Sequence, residues 1–147
     1  MKDRYDFNAS ESLLDYEFYS TGPRGVIKKI VRFSPRHIDG KTYFNLGFGD
    51  LNEKTNQIDD LSRPDNYDRD KILTTIAATV MIFTDHFPDV MVYAQGSTPS
   101  RTRLYQMALN SNLKEIEPLL HIYGFANQMW MEFKSKVNYL AFLALRK

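Results

Sequence analysis

Residues 90–108 read Val90-Met91-Val92-Tyr93-Ala94-Gln95-Gly96-Ser97-Thr98-Pro99-Ser100-Arg101-Thr102-Arg103-Leu104-Tyr105-Gln106-Met107-Ala108, and this stretch decides how the chain folds. Its apolar run at 90–95 predicts a strand suited to burial on both faces of a sheet. Gly96 and the hydroxyl residues after it predict a turn. Thr98 is a natural N-cap for a helix over about 99–110, because Pro99 fits the first helical position, where no backbone donor is needed. Strand, turn and helix are therefore predicted in direct succession.

Upstream of this unit, the sequence predicts an antiparallel meander followed by a helix. Strands are predicted over 16–20, 26–33 and 42–51, with glycine-containing turns between them, and a short edge strand over 58–61. Pro35 is expected to end the second strand, since proline lacks the backbone donor. Apolar residues at three- and four-residue spacing predict a long helix from about Arg69 to Phe87, which Pro88 stops.

Downstream, the pattern predicts a short helical turn at 112–117 and strands over 119–125, 129–133 and 139–145. The unit over 90–125 is expected to place two strands parallel to each other. The whole order favours an α+β fold: a mainly antiparallel twisted sheet of about 6–7 strands, with a long central helix and a second shorter helix packed on it. The 147 residues predict a single domain, 1–147, with residues 1–14 as a loosely ordered N-terminal arm.

Composition excludes several classes of protein. The chain is 43% hydrophobic with no cysteine, which excludes a disulfide framework, a thiolate metal site and a cysteine nucleophile. A net charge of +1 provides no global field toward nucleic acid or membrane. The charged N-terminus is no signal peptide, and the apolar runs are too short to span a membrane, so a cytoplasmic protein without a membrane partner is expected.

A strand that ends in glycine and hydroxyl residues at a helix start is typical of an anion pocket. The first helical turn leaves backbone N–H groups unpaired, with the positive end of the helix dipole behind them. Leu104, Met107 and Ala108 are predicted as the inner stripe, and Arg101 falls within about 45° of its centre, where its charge needs a partner. The predicted ligand-binding residues are Gly96, Ser97, Thr98, Ser100, Arg101, Arg103 and Tyr105.

The ligand predicted for this pocket is a phosphate-bearing small molecule or RNA. The alternative is that the hydroxyl residues only cap the helix and that Arg101 pairs with a carboxylate of the same chain. The stretch is not a P-loop, because it lacks the lysine and the second glycine at the required spacing. No other cofactor is expected.

Charge is distributed unevenly along the chain. Residues 21–41 carry a net charge of +5 and residues 50–70 a net charge of −4. The basic block predicts either a strip that faces RNA or DNA, or a hairpin that pairs with the acidic block. Asp50, Asp59 and Asp60 match no calcium-loop spacing, so no metal site is predicted.

Two further hypotheses belong to other classes. The basic hairpin or the Met129–Met131 strip with Trp130 would serve a protein partner, as in a toxin–antitoxin or immunity component. An enzyme acting on nucleic acid or a nucleotide is the weakest hypothesis, because no residue stands out as a general base; the three histidines are scattered along the chain.

The chain resembles an uncharacterised family of small single-domain proteins from Bacteroidota-type bacteria. The resemblance lies in the segment 58–61, in the helix from Lys71, and above all in Gly96-Ser97-Thr98-Pro99-Ser100-Arg101-Thr102-Arg103-Leu104-Tyr105. The resemblance covers most of the chain, from about Tyr16 onward. It implies a bacterial origin and a single-domain fold. It carries no activity with it. Small bacterial proteins of this kind are sometimes toxin–antitoxin components, and this link is an analogy only.

Overall fold

A computed structural model describes residues 3–59 and 66–147 of the chain. Within these ranges it forms a nine-stranded sheet with three helices, a mixed α and β architecture. The strands are β1 (Asn8–Ala9), β2 (Asp15–Gly22), β3 (Gly25–Ile38), β4 (Lys41–Asn52), β5 (Gln57–Asp59), β6 (Met91–Ala94), β7 (Leu120–Ala126), β8 (Met129–Glu132) and β9 (Ala141–Arg146). The helices are α1 (Arg69–His86), α2 (Pro99–Ser111) and α3 (Leu113–Ile116).

The strand order is β1-β2-β3-β4-β6-β9-β7-β8, and β5 pairs with β4 beside this path. The predicted meander is present as β2, β3 and β4, which pair antiparallel in succession. The sheet is larger than the six to seven strands predicted. Two of its strands, β1 and β5, are only two and three residues long. The strand β5 corresponds to the predicted edge strand over 58–61, whereas β1 was not predicted, because two residues are too few to show an alternating pattern.

The helix α1 has nearly the predicted bounds, but it is shorter than the sheet is wide. Its 18 residues span about 27 Å at 1.5 Å per residue. The eight strands along the main path extend over about 34 Å at 4.8 Å per strand. One helix therefore cannot cover the sheet, and α2 and α3 cover the part that α1 leaves open.

The strand β3 continues through Pro35, contrary to the prediction that this proline ends it. The partner strand β2 starts at Asp15, which lies opposite Arg32, so β3 beyond Phe33 pairs with β4 alone. The backbone N–H of Phe33 donates to the carbonyl oxygen of Leu14, on the side away from β4. The Pro35 nitrogen, two residues on, points the same way. Its missing proton therefore costs no hydrogen bond in the sheet.

All three helices lie on one face of the sheet. Side chains from each helix, such as Ile76, Ala108 and Ile116, surround a small apolar cavity of about 50 Å³ together with Leu46 and Val92 of the sheet. All of these residues except Ala108 belong to a hydrophobic cluster that also contains the fully buried rings of β2, β3 and α1. This cluster, between helices and sheet, is the core.

The opposite face of the sheet, which we call the open face, carries the residues that alternate with the core residues. The register pairs Asn45 with Tyr93 and Tyr93 with Leu143, so these three side chains share that face. Only Val92 of β6 is buried, while its other residues are half-buried. The prediction that β6 is buried on both faces is therefore wrong, because helices cover one face only.

Parallel pairing occurs where α1 crosses over the sheet. The strands β4 and β6 are parallel neighbours, with Leu46 opposite Ala94. The strands β6 and β7 also run in the same direction, as predicted for 90–125, but β9 lies between them and is antiparallel to both. The strand between β6 and β7 thus comes from the end of the chain, and no local pattern around residues 90–125 indicates this.

The described part of the predicted N-terminal arm, residues 3–14, is docked on the fold. The backbone N–H of Tyr5 donates to Thr75 Oγ1 at 2.9 Å, and the Tyr5 hydroxyl donates to Asp68 Oδ2 at 2.6 Å. Phe7 packs edge-on against Tyr16, with ring centroids 5.7 Å apart. Asp68 precedes α1, but its carboxylate accepts from Tyr5 and Ser20 and makes no cap hydrogen bond.

Candidate functional site

A polar cleft of about 380 Å³ opens where β6 ends and α2 begins. It forms because β4 changes partners: residues 44–46 pair with β6, whereas residues 50–52 pair with β5. The segment Gly47–Gly49 lies between these two pairings, and Gly47, which lines the cleft, has no side chain to fill it. The cleft, which we call the arginine cleft, is lined by Arg32, Ser34, Arg36, Asn45, Leu46, Gly47, Phe48, Gln57, Ile58, Gln95, Gly96, Ser97, Arg101 and Tyr105.

Three arginines line the arginine cleft. Arg32 and Arg36 come from β3, where their even spacing places both on the open face, and Arg101 comes from the first turn of α2. Among the lining residues that the structure describes, none is a carboxylate. The lining therefore concentrates positive charge although the whole chain is nearly neutral.

The arginines differ in how firmly they are held. Arg32 Nε donates to Asp15 Oδ1 at 2.9 Å, and its two terminal nitrogens donate to the backbone and side-chain oxygens of Asn56. This leaves two of its five N–H groups for another acceptor. Arg36 is exposed and donates to the carbonyl oxygen of Pro35 at 3.2 Å. Arg101 is half-buried and has an interaction partner of its own.

The junction between β6 and α2 is locked by hydrogen bonds from its own residues. Thr98 is the N-cap, as predicted, and its hydroxyl accepts from the backbone N–H of Arg101 at 3.2 Å. The backbone N–H of Gly96 donates to Thr102 Oγ1 at 3.0 Å. A Cβ at Gly96 would lie closer than 3.0 Å to Arg101 and Thr102. Gly96 therefore allows the strand end to touch the first turn of the helix.

The structure brings together four of the seven predicted ligand-binding residues. Gly96, Ser97, Arg101 and Tyr105 line the arginine cleft. Thr98, Ser100 and Arg103 do not line it: the Thr98 hydroxyl is occupied as the cap, and Ser100 and Arg103 are exposed.

The buried stripe of α2 is not the predicted one. Leu104 and Met107 are only half-buried, whereas Thr102, Tyr105 and Ala108 are buried. The stripe is centred near Tyr105, so Arg101 lies about 40° from its centre and still points inward. The inward direction of Arg101 was therefore predicted from the wrong stripe. Leu104 and Met107 were chosen because they are more hydrophobic than tyrosine, but Tyr105 is the residue of α2 that is buried.

Several lining residues were not predicted. Arg32, Ser34 and Arg36 alternate along β3, and period-two spacing on a strand places them on one face. That signal was present in the sequence, but the expected end of the strand at Pro35 concealed it. Asn45 and Gln95 gave no signal, since only the pairing of β4 with β6 places them side by side.

The basic and acidic blocks pair in part, as one alternative predicted. Lys29 forms an ion pair with Asp50, and Lys28 forms one with Glu53 at 3.0 Å. Within the described ranges, no three His, Asp or Glu side chains converge to hold a metal ion. Of the three aspartates considered for metal binding, Asp60 lies outside those ranges, as does the predicted strand end at residues 60–61.

The Met129–Met131 strip lies on β8 and reaches solvent at the far edge of the sheet. Met129 is 57% exposed and Trp130 is 41% exposed. The Trp130 ring contacts Phe125, with centroids 5.1 Å apart. Trp130 lies on the open face opposite Phe125, whereas Met129 and Met131 alternate with it and lie on the other side of β8.

A family model described as a family of unknown function, DUF6934, matches residues 1–147. The chain belongs to this family. The resemblance to a family without an assigned activity is confirmed to that extent. No curated protein and no solved structure matches the chain. None of the helices in the described ranges has the length and apolar character that a membrane span requires.

Proposed function

We propose that this protein binds a phosphate-bearing ligand, a nucleotide or RNA, in the arginine cleft. The observation that carries the proposal is the convergence of Arg32, Arg36 and Arg101, from a strand and a helix far apart in sequence, on one cleft. A bacterial origin and a cytoplasmic location, where such ligands are abundant, are part of the proposal.

The chemistry of the lining supports a phosphate more than a neutral ligand. Guanidinium groups form paired, charge-assisted hydrogen bonds with phosphate oxygens. Ser97 adds a hydroxyl, and it lies just before α2, at the positive end of the helix dipole. The proposal does not require Arg101 to be free, since Arg36 is exposed and Arg32 retains two N–H groups.

The test is titration calorimetry with inorganic pyrophosphate at low and high salt. We expect binding that weakens as salt rises, because exposed charge pairs are screened. Arg36→Gln should weaken binding about tenfold, which is about 1.4 kcal/mol, near the lower end for a hydrogen bond to a charged group. Arg103→Gln is the matched control: it removes the same charge from an exposed position outside the cleft and should change affinity less than about twofold.

Two results would overturn the proposal. One is the absence of pyrophosphate binding in a correctly folded protein at low salt. The other is equal weakening by Arg36→Gln and Arg103→Gln, which would show that net charge alone attracts the anion.

A protein partner is the second candidate function, favoured by the exposure of Met129 and Trp130. The partner would be a small protein such as the other half of a toxin–antitoxin pair. Co-expression with the product of a neighbouring gene, followed by co-purification that Met129→Lys abolishes, would support it. Co-purification that survives this substitution would contradict it.

A further inference from the structure

Aromatic side chains form a continuous row across the open face. The rings of Tyr43 and Tyr93 lie 5.7 Å apart, those of Tyr93 and Trp130 lie 6.2 Å apart, and those of Trp130 and Phe125 lie 5.1 Å apart. Tyr43, Tyr93 and Phe125 are half-buried, and Trp130 is exposed. We call these four residues the aromatic row. Its members come from β4, β6, β7 and β8, so the row runs across the strands.

The aromatic row begins at the wall of the arginine cleft. The register places Arg36 opposite Tyr43 and Asn45 opposite Tyr93, so the strand residues that line the cleft adjoin the row on the open face. The Tyr93 hydroxyl donates to Gln95 Oε1 at 2.6 Å, and Gln95 lines the cleft. The positive charge of Arg36 and a row of partly exposed rings therefore adjoin on one surface.

We propose that this surface binds single-stranded RNA, with phosphates in the arginine cleft and bases stacked on the aromatic row. The inference rests on the proposed function and names its ligand class. Stacking on aromatic rings together with a basic groove is the combination by which sheets bind unpaired strands, commonly two or three bases at a time. A purely apolar partner would not match the three arginines at one end of the row.

Polar groups at the junction favour RNA over DNA. Ser34, Asn45 and Gln95 line the cleft, and two of them adjoin Tyr93: Asn45 lies opposite it in the sheet, and Gln95 accepts its hydroxyl hydrogen bond. A hydroxyl and two amides there offer hydrogen bonds to the ribose 2′-hydroxyl, the group by which proteins distinguish the two polymers. Direct stacking alone would not discriminate between them.

The chain provides its own reporter, because Trp130 is its only tryptophan. The experiment titrates the protein with an oligouridylate of about six nucleotides, a length within the usual range for one such domain. Stacking of a base on Trp130 should change its fluorescence in step with binding measured by anisotropy of labelled RNA. Oligodeoxyuridylate of equal length should bind several-fold more weakly.

Variants test whether the rings of the aromatic row contribute to RNA affinity more than other exposed rings do. Tyr93→Leu and Trp130→Leu should each weaken RNA binding about tenfold, a typical loss for one stacked base. Pyrophosphate affinity should remain within about twofold in both. Tyr19→Leu is the matched control: Tyr19 is 49% exposed on the open face but lies on β2, outside the row. It should leave RNA affinity unchanged.

The outcomes distinguish this inference from the proposed function. If pyrophosphate binds as proposed but the row variants do not weaken RNA binding, the stacking inference is wrong and the phosphate site stands. Equal affinity for the deoxyribose oligomer overturns the assignment to RNA. A concentration-dependent dimer that Trp130→Leu abolishes assigns the row to a second copy of the chain and also overturns the inference. Loss of both pyrophosphate and RNA binding overturns both proposals.

Discussion

Replacing Gly96 by alanine tests whether this glycine serves packing or ligand access. The added Cβ would lie closer than 3.0 Å to the Cβ of Arg101 and to the backbone nitrogen of Thr102. The obstacle includes helix backbone, which cannot rotate away as a side-chain tip can. The strand end and the first turn of α2 must therefore move apart.

The cost of this movement has two parts. Overpacking a tight contact costs about 1–3 kcal/mol. Separation of the two elements also stretches the hydrogen bond from the Gly96 backbone N–H to Thr102 Oγ1, now 3.0 Å, which contributes about 1 kcal/mol. We expect Gly96→Ala to lower the free energy of unfolding by about 2–4 kcal/mol, measured by urea unfolding followed through Trp130 fluorescence and circular dichroism.

A second glycine of the same cleft is the matched control. A Cβ at Gly47 would meet Ile58 Cδ1 at 3.5 Å and the Arg32 carbonyl oxygen at 3.7 Å, which are ordinary contacts. Alanine in a strand is favoured over glycine by about 0.5–1 kcal/mol, so Gly47→Ala should be neutral or slightly stabilising. A Gly96→Ala protein as stable as the Gly47→Ala protein would refute the packing argument and would favour a role in ligand access.

The remaining predictions concern buried polar groups. Asp50→Asn should destabilise the protein by about 3 kcal/mol, because it leaves the buried Lys29 charge without its partner, whereas Glu53→Gln, at an exposed pair, should cost less than about 0.5 kcal/mol in the same urea unfolding assay. Burial raises the pKa of Tyr16, as it does for Tyr93 with a further contribution from the nearby Tyr43. The folded state therefore holds these two phenol protons more tightly than the unfolded state does. Their contribution to the free energy of unfolding should be fully present below a pH of about 10 and be lost as the pH rises above it, by at most about 1.4 kcal/mol per pH unit for one proton. Tyr16→Phe should reduce that slope, and an unchanged slope would contradict the assignment.

Local patterns were enough for most of the helices and strands. The apolar stripe between Arg69 and Phe87 and the sequence Thr98-Pro99 predicted α1 and the start of α2 nearly to the residue. Both signals are local: the repeat of a helix and the cap of its first turn act within a few residues. The alternation over 42–51 predicted β4 for the same reason.

Errors occurred where a distant partner decides the outcome. A proline ends a strand when the neighbouring strand on its nitrogen side needs an N–H there, but here β2 stops short and leaves that side of Pro35 without a partner strand. The face of β6 that was expected to be buried is open because the helices occupy one side only. Neither fact is contained in the residues around the position.

The candidate site divides in the same way. The sequence by itself indicated Arg101 and the turn that precedes α2, because capping and helix geometry are properties of contiguous residues. Only the tertiary structure decided that Arg32 and Arg36 join Arg101, since β4 must pair with β3 on one side and β6 on the other to bring them together. The same pairings align the rings of Tyr43, Tyr93 and Trp130. A surface assembled across strands depends on strand order and register, which the packing of the whole chain selects and no single segment encodes.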